Sequence, residues 1–229
     1  MASPHTLIRA RSSLAGSRLG KTASRRERRT ADIRQRLFDA ALKLFAERGF
    51  LKTTVEDITE EADVGKGTFF NYFPSKEQLL DSFSDSRIEK IRRALAAITK
   101  EESTVSAAVK QMYFDLSQDP GRSQELTRSM LLTMLSNQAV WGRVCTRMRE
   151  SQGLLTKIFQ LGQRRREVRE DVPATDLARS FKESYFGALF CWSFLPSAKL
   201  STELNRAFEH FWSGAASRSY RVVRKGAGR

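Results

Sequence analysis

From Thr30 onward the apolar residues recur at helical spacing, and no segment alternates as a half-buried strand does. The first stripe is Ile33, Leu37, Ala40, Ala41, Leu44 and Phe45, and Gly49 supplies its stop. Thr54-Val55-Glu56-Asp57 has the form of a capping box with Asp in place of Glu, and Val55, Ile58 and Ala62 line one face of the short helix it opens. Asp63-Val64-Gly65 is a tight connection, Lys66 to Phe73 a second short helix, and Pro74 its end. Ser75 with Gln78 caps a longer helix through Leu79, Phe83, Ile88, Ile91 and Leu95 towards Ala97. Further helices are expected at 103–117, 122–135, 138–168, 174–195 and 199–217, with breaks at Asp119-Pro120-Gly121, Asp171-Val172-Pro173 and Pro196. The spacing predicts an all-α chain of about nine helices, with no βαβ unit and no long internal repeat.

Charge narrows the partners. The formal net charge is +14 and the sequence pI is near 10.3, which favours polyanions such as nucleic acid or an anionic membrane surface. The excess is uneven: residues 1–30 carry eight Lys/Arg against Glu27 alone, whereas residues 31–82 carry seven basic and ten acidic side chains. Residues 1–29 therefore read as a basic arm, open to three interpretations: a flexible tail, a minor-groove arm, or an organellar transit peptide. Residues 218–229 form a basic tail. Two cysteines without CxxC spacing and two unaccompanied histidines, His5 and His210, argue against a disulfide framework or a metal site and suit a reducing compartment. The apolar window Tyr185–Leu195 is about half of a bilayer crossing, and the first residues lack a signal-peptide core. No cofactor, metal or catalytic residue is expected: there is no His beside a Ser or Cys nucleophile, and an enzyme reading has nothing to rest on.

Gly65-Lys66-Gly67-Thr68 has the outline of a phosphate-binding loop but lacks its requirements. The first glycine position of G-x-x-x-x-G-K-[ST] is Glu60, the residue after Lys66 is Gly67, and a helix rather than a strand precedes it. Two short helices joined by a tight turn instead form a helix-turn-helix, whose second helix fits a major groove. Phe69 and Phe73, at i and i+4, suit its inner face, leaving Lys66, Gly67, Thr68, Phe70 and Tyr72 outward. Lys66 suits guanine or phosphate, Thr68 phosphate, and Gly67 close approach.

Residues 30–80 resemble the N-terminal domain of the tetracycline-repressor (TetR) family of bacterial transcriptional regulators, and Thr53 to Leu79 follow its pattern T-T-V-x-x-I-x-x-x-A-G-V-S-x-G-T-x-Y-x-Y-F-x-S-K-E-x-L. The resemblance implies a three-helix DNA-binding head over residues 30–90 and a helical effector-binding and dimerisation domain over 91–217. It implies that Thr54 caps the second helix and touches phosphate, that Lys66, Gly67, Thr68 and Tyr72 face an operator, and that Lys76 binds backbone phosphate. Asp63, Gly65 and Phe70 stand where the family has Gly, Ser and Tyr. Asp tolerates the left-handed backbone better than most residues, Gly65 gives up a capping hydroxyl, and Phe70 offers apolar contact, as to a thymine methyl.

The resemblance further implies a homodimer, a palindromic operator with half-sites about 34–36 Å apart or a multiple of that, release by a small molecule, and a place in the bacterial cytoplasm on nucleoid DNA. Phe181, Tyr185, Leu189, Trp192, Phe208, Phe211 and Trp212 are candidates for the dimer interface, with ordinary core as the alternative. Met112, Leu116, Met134, Trp141, Met148, Phe186 and Phe190 are candidates for an effector cavity, together with Met130 and Phe159. Glu183 and Asp115 are candidate partners for a cationic effector, or else solvated residues. The alternative to a specific regulator is a helical protein held to nucleic acid or an anionic membrane surface by charge alone.

Overall fold

The computed structural model describes residues 24–118, 123–195 and 198–217. The expected arm before Ser24, the tail 218–229 and the breaks at Asp119-Pro120-Gly121 and Pro196 lie outside these residues. Among the described residues there are nine α-helices: α1 (Arg25–Arg48), α2 (Val55–Glu61), α3 (Lys66–Tyr72), α4 (Lys76–Thr99), α5 (Val105–Asp115), α6 (Gln124–Ser136), α7 (Gln138–Arg164), α8 (Ala174–Phe194) and α9 (Leu200–Ala215). A single isolated bridge, Val168 to Ala216, is the one extended pairing among them. No described helix is long and apolar enough to cross a membrane.

Helix α1 starts five residues before the expected Thr30, so Arg25, Arg26, Arg28 and Arg29 are helical rather than part of an arm. Ser24 is the cause: its hydroxyl accepts from the Glu27 amide at 3.2 Å while the Glu27 carboxylate accepts from the Ser24 amide at 2.7 Å. That reciprocal box satisfies two donors at the helix start. Helix α7 ends at Arg164, short of the expected 168, because Arg166 turns left-handed (φ 56°) and the chain folds back on Gly162. A Cβ on Gly162 would stand 2.4 Å from Val168 Cγ2, so only glycine admits this return.

Helices α1–α3 and the start of α4 enclose one buried cluster, built on Leu37, Ala41, Phe45, Ile58, Phe69, Phe73 and Leu79. Leu126 of α6 and Val140 of α7 belong to this same cluster. The second cluster joins the later part of α4 to α5, α7, α8 and α9 around Tyr113. The Tyr113 ring meets Phe181, Tyr185 and Phe208 edge-on at 5.2, 5.3 and 5.8 Å, and burial pushes its hydroxyl up to about 12.

Six of the seven expected dimer residues lie in this core, and the seventh, Phe211, is half-buried beside it. Phe181, Tyr185, Leu189, Trp192, Phe208 and Trp212 are each at most 5% exposed in the single chain, and Phe211 packs at 5.8 Å from Phe159 and 5.7 Å from Phe181. The apolar surface of α8 is wider than one face, and its aromatic half turns inward. What α8 leaves exposed is Phe190, Phe194 and the following Leu195.

Helix α6 ties the two clusters together. Ser129 Oγ accepts from the Phe50 amide at 3.2 Å, just after α1. On its other side, Gln124 Nε2 donates to the Trp192 and Leu195 carbonyls at 2.8 and 2.7 Å, and Arg128 donates to the Ser193 carbonyl at 2.7 Å. The Trp192 and Leu195 carbonyls also accept from the Leu195 and Ala198 amides, at 3.1 and 3.4 Å, so the end of α8 is bonded both to its own turn and to α6.

Two glycines of α7 test this packing. Gly162→Ala is expected to lower unfolding free energy by about 1–3 kcal/mol through overpacking against Val168. Gly153→Ala, whose Cβ meets nothing within 4 Å, is expected to raise it by roughly 0.5–1 kcal/mol. Urea denaturation of the two variants checks the contrast.

Candidate functional site

At one end of the head, α2 and α3 are joined by Ala62-Asp63-Val64-Gly65. Thr54 caps α2 as its spacing suggests: its hydroxyl accepts from the Asp57 amide at 3.1 Å, and the Asp57 carboxylate accepts from the Thr54 amide and hydroxyl, each at 2.8 Å. Those bonds hold the Asp57 carboxyl below its ordinary range. Asp63 adopts φ 51°, the left-handed turn expected there.

A residue from α1 supports the turn, and sequence reasoning missed it. The Arg36 guanidinium donates to the Ala62 carbonyl and, at 3.2 Å, to the Asp63 carbonyl, with the Asp63 carboxylate 3.6 Å away. An arginine thus closes the end of α2 and holds the left-handed residue that glycine would adopt without strain. The available signal was Arg36 beside the buried Leu37, one residue off the apolar stripe.

Phe69 is fully buried and Phe73, at the end of α3, is 2% exposed, their rings 5.7 Å apart. This places the rest of α3 outward. Lys66, Gly67 and Phe70 are exposed, while Thr68 and Tyr72 are half-buried. Asn71 is exposed too, one turn beyond Gly67, an amide the sequence reading did not single out. Gly65 caps α3 by backbone alone, its carbonyl accepting from the Thr68 amide at 2.8 Å. Lys66 makes an ion pair with Glu56 across the turn, and that hydrogen bond holds the Glu56 carboxyl below its ordinary range.

Lys76 stands apart from the others. Its ammonium donates to the Phe50 and Thr53 carbonyls at 2.8 and 2.7 Å and lies 4.3 Å from the centre of the Phe50 ring. Burial pushes its pKa below the ordinary lysine value. Here the side chain implied for phosphate contact turns inward and anchors α4 to the α1–α2 link.

Behind the head, two adjoining pockets, which share one wall and are taken together as the cavity, lie along α4 between α6, α7 and α8. The head-side pocket is lined by Leu80, Asp81, Thr127, Met130, Val140 and Arg143 among others, and the far pocket by Ile88, Leu116, Arg147, Met148, Leu155 and Lys182 among others. Ser84, Arg87, Met134, Val144 and Phe186 line both.

Four of the expected effector residues, Leu116, Met134, Met148 and Phe186, are thus brought together, with Met130 beside them. Met112 and Phe159 are instead buried in the body core, and Trp141 and Phe190 are about half exposed. Asp115 and Glu183 are not among the lining residues. Glu183 is exposed, and Asp115 accepts from the Gln111 side-chain Nε2 at 2.8 Å.

The fold and this face define an all-α helix-turn-helix protein. Residues 37–83 match the family model described as bacterial regulatory proteins, tetR family. The head thus resembles the DNA-binding module of that family, and the match ends within α4. It is 42% identical over 77 residues to an uncharacterized HTH-type transcriptional regulator, YuxN, of Bacillus subtilis, covering 33% of this chain and 26% of that protein. Over 84 residues it is 37% identical to the HTH-type transcriptional repressor KstR2 of Rhodococcus jostii, covering 35% and 41%. The chain therefore spans well under half the length of these curated relatives. Among solved structures, Thermus thermophilus FadR, a TetR-family transcriptional repressor in complex with lauroyl-CoA, superposes with a TM-score of 0.55 at 28% identity, covering 79% of this chain and 94% of that one.

Lys76→Met separates anchor from phosphate contact. Loss of its two carbonyl bonds is expected to lower stability by about 1–3 kcal/mol and to leave the salt dependence of DNA binding unchanged. A fall of about one in the slope of log affinity against log salt would restore the phosphate role.

Proposed function

We propose that the chain is a transcriptional repressor that binds a palindromic operator as a homodimer and is released by a small-molecule effector, acting on nucleoid DNA in the bacterial cytoplasm. The observation that carries the reading is the α2–turn–α3 unit. Its second helix is pinned from within by Phe69 and Phe73 and presents Lys66, Gly67, Phe70 and Asn71 to solvent. A helix held this way enters a major groove with its exposed residues at base edges, and Thr54, at the start of α2, suits phosphate.

The head supplies little attraction through net charge, so the basic start of α1 matters. Arg34 lies 5.6 Å from the Phe73 ring, beside the end of the recognition helix. Arg25, Arg26, Arg28 and Arg29 extend roughly 14 Å of helix beyond it, at about 1.5 Å per residue. They suit phosphates flanking the groove.

Dimerisation is supported by the exposed apolar face that ends α8. Phe190 and Phe194 pair with ring centres 5.0 Å apart, and both are about half exposed. An effector is supported by the cavity, which touches α4 and α6 where they meet the head, and by the repressor relative whose structure holds an acyl-CoA.

Footprinting on the DNA adjoining the protein's own gene tests the reading. A protected palindrome is expected, and Lys66→Ala with Asn71→Ala should weaken it at least tenfold without moving the melting temperature. Equal affinity for palindromic and scrambled duplexes, both lost together as salt rises, would favour binding by charge alone.

A further inference from the structure

Three cationic side chains, Arg87 of α4, Arg147 of α7 and Lys182 of α8, line the far pocket, and the carboxylates, Glu77 and Asp81, line only the head-side one. The surrounding wall is apolar. Arg147 is already neutralised, by Asp85 at 2.5 Å and Glu150 at 3.0 Å. Arg87 and Lys182 are different: among the described residues neither lies within ion-pair distance of a carboxylate.

The Arg87 guanidinium lies over the faces of Tyr185 and Phe186, 5.2 and 5.0 Å from their centres, and Lys182 has a carbonyl, that of Met148, at the long distance of 3.5 Å. Arg87 falls in register with Leu80, Ser84 and Ile91 on α4, and Lys182 with Ala178, Tyr185 and Leu189 on α8. Both therefore sit on stripes that face the interior. Burial pushes Lys182 below its ordinary pKa; Arg179 adds to the effect and the exposed Glu183 opposes it. Cations held on apolar walls without counter-charge are costly, and an anion supplied from outside would offset that cost.

We propose that the effector is an amphipathic anion, a carboxylate or phosphate head on an apolar chain. Arg87 and Lys182 hold the head, and Met134, Val144 and Phe186 lead the chain toward α6. This rests on the cavity being the effector site and names the class of ligand it takes. It also reverses the charge expected from Asp115 and Glu183: a cationic effector would meet Arg87 and Lys182 with no carboxylate on the far wall to receive it.

Calorimetric titration of the full chain with dodecanoate, dodecanoyl-CoA, dodecanol and dodecyltrimethylammonium, each below its micellar concentration, tests this. At least one of the two anions should bind ten times or more tightly than the alcohol, and the ammonium more weakly still. Whether dodecanoate or the CoA thioester leads tells a carboxylate head from a phosphate one. Arg87→Gln and Lys182→Gln should each weaken the anion tenfold or more and leave dodecanol unchanged, while Arg87→Lys restores part of the loss. Melting temperatures of the unliganded variants guard against misfolding.

Absence of binding by both anions, equal binding of the ammonium, or undiminished anion binding by the two Gln variants would overturn the proposal. The operator footprint of the unliganded protein keeps the two readings apart. An intact footprint with any of those outcomes defeats the anionic effector alone, whereas a missing footprint defeats the regulator reading itself.

Discussion

The seating of α6 against α1 is the contact on which the rest of the molecule depends. A head of three helices and the start of a fourth has little core of its own, and small units bury too small a fraction of their surface to be stable alone. Here Leu126 and Val140, from the far side of the chain, complete the cluster around Leu37, Phe45 and Phe69. The Phe50 amide finds its acceptor on Ser129, and Lys76 fixes α4 to the same link through the Phe50 and Thr53 carbonyls. The α1–α2 link is thus held from two sides, by α6 and by α4.

That arrangement gives the cavity its place in the proposed mechanism. Met130 and Met134 of α6 pack against the head cluster and also line the cavity, and Leu80 of α4 does the same. An occupant that displaces them acts on groups already touching the head, so no long relay is needed. Coupling between such an effector and DNA would be reciprocal by linkage: whatever factor the effector removes from DNA affinity, DNA removes from effector affinity. The end of α8, bonded to Gln124 and Arg128, links the same helix to the apolar face proposed for the second copy.

Local chemistry made the helices and the recognition unit legible in the sequence. Thr54 with Asp57, Ser75 with Gln78, and the pair Phe69 and Phe73 depend on neighbours three or four residues away, and the structure places each as its spacing suggests. Ser24 with Glu27 carries the same signature and starts α1 five residues ahead of Thr30, where the apolar stripe begins to show. What depended on distant partners was not legible. Lys76 turns inward because carbonyls of another segment await it, and Arg36 reaches a turn 27 residues on. On α8 nearly every face is apolar, so composition alone did not separate the buried Tyr185 and Trp192 from the exposed Phe190 and Phe194. The cavity carried a clue of another kind. Arg87 and Lys182 interrupt apolar stripes, and a charge in such a stripe is a better guide to a ligand than the acids that stand outside it.

The central claim is that α6 is structurally part of the head. Native-state hydrogen exchange on Leu126→Ala tests it most directly, since Leu126 lies on α6 while its side chain belongs to the head cluster. Protection is expected to fall across the amides of α1 and α3 together with those of α6. Loss confined to α6, with α1 and α3 as protected as in the parent protein, would contradict it.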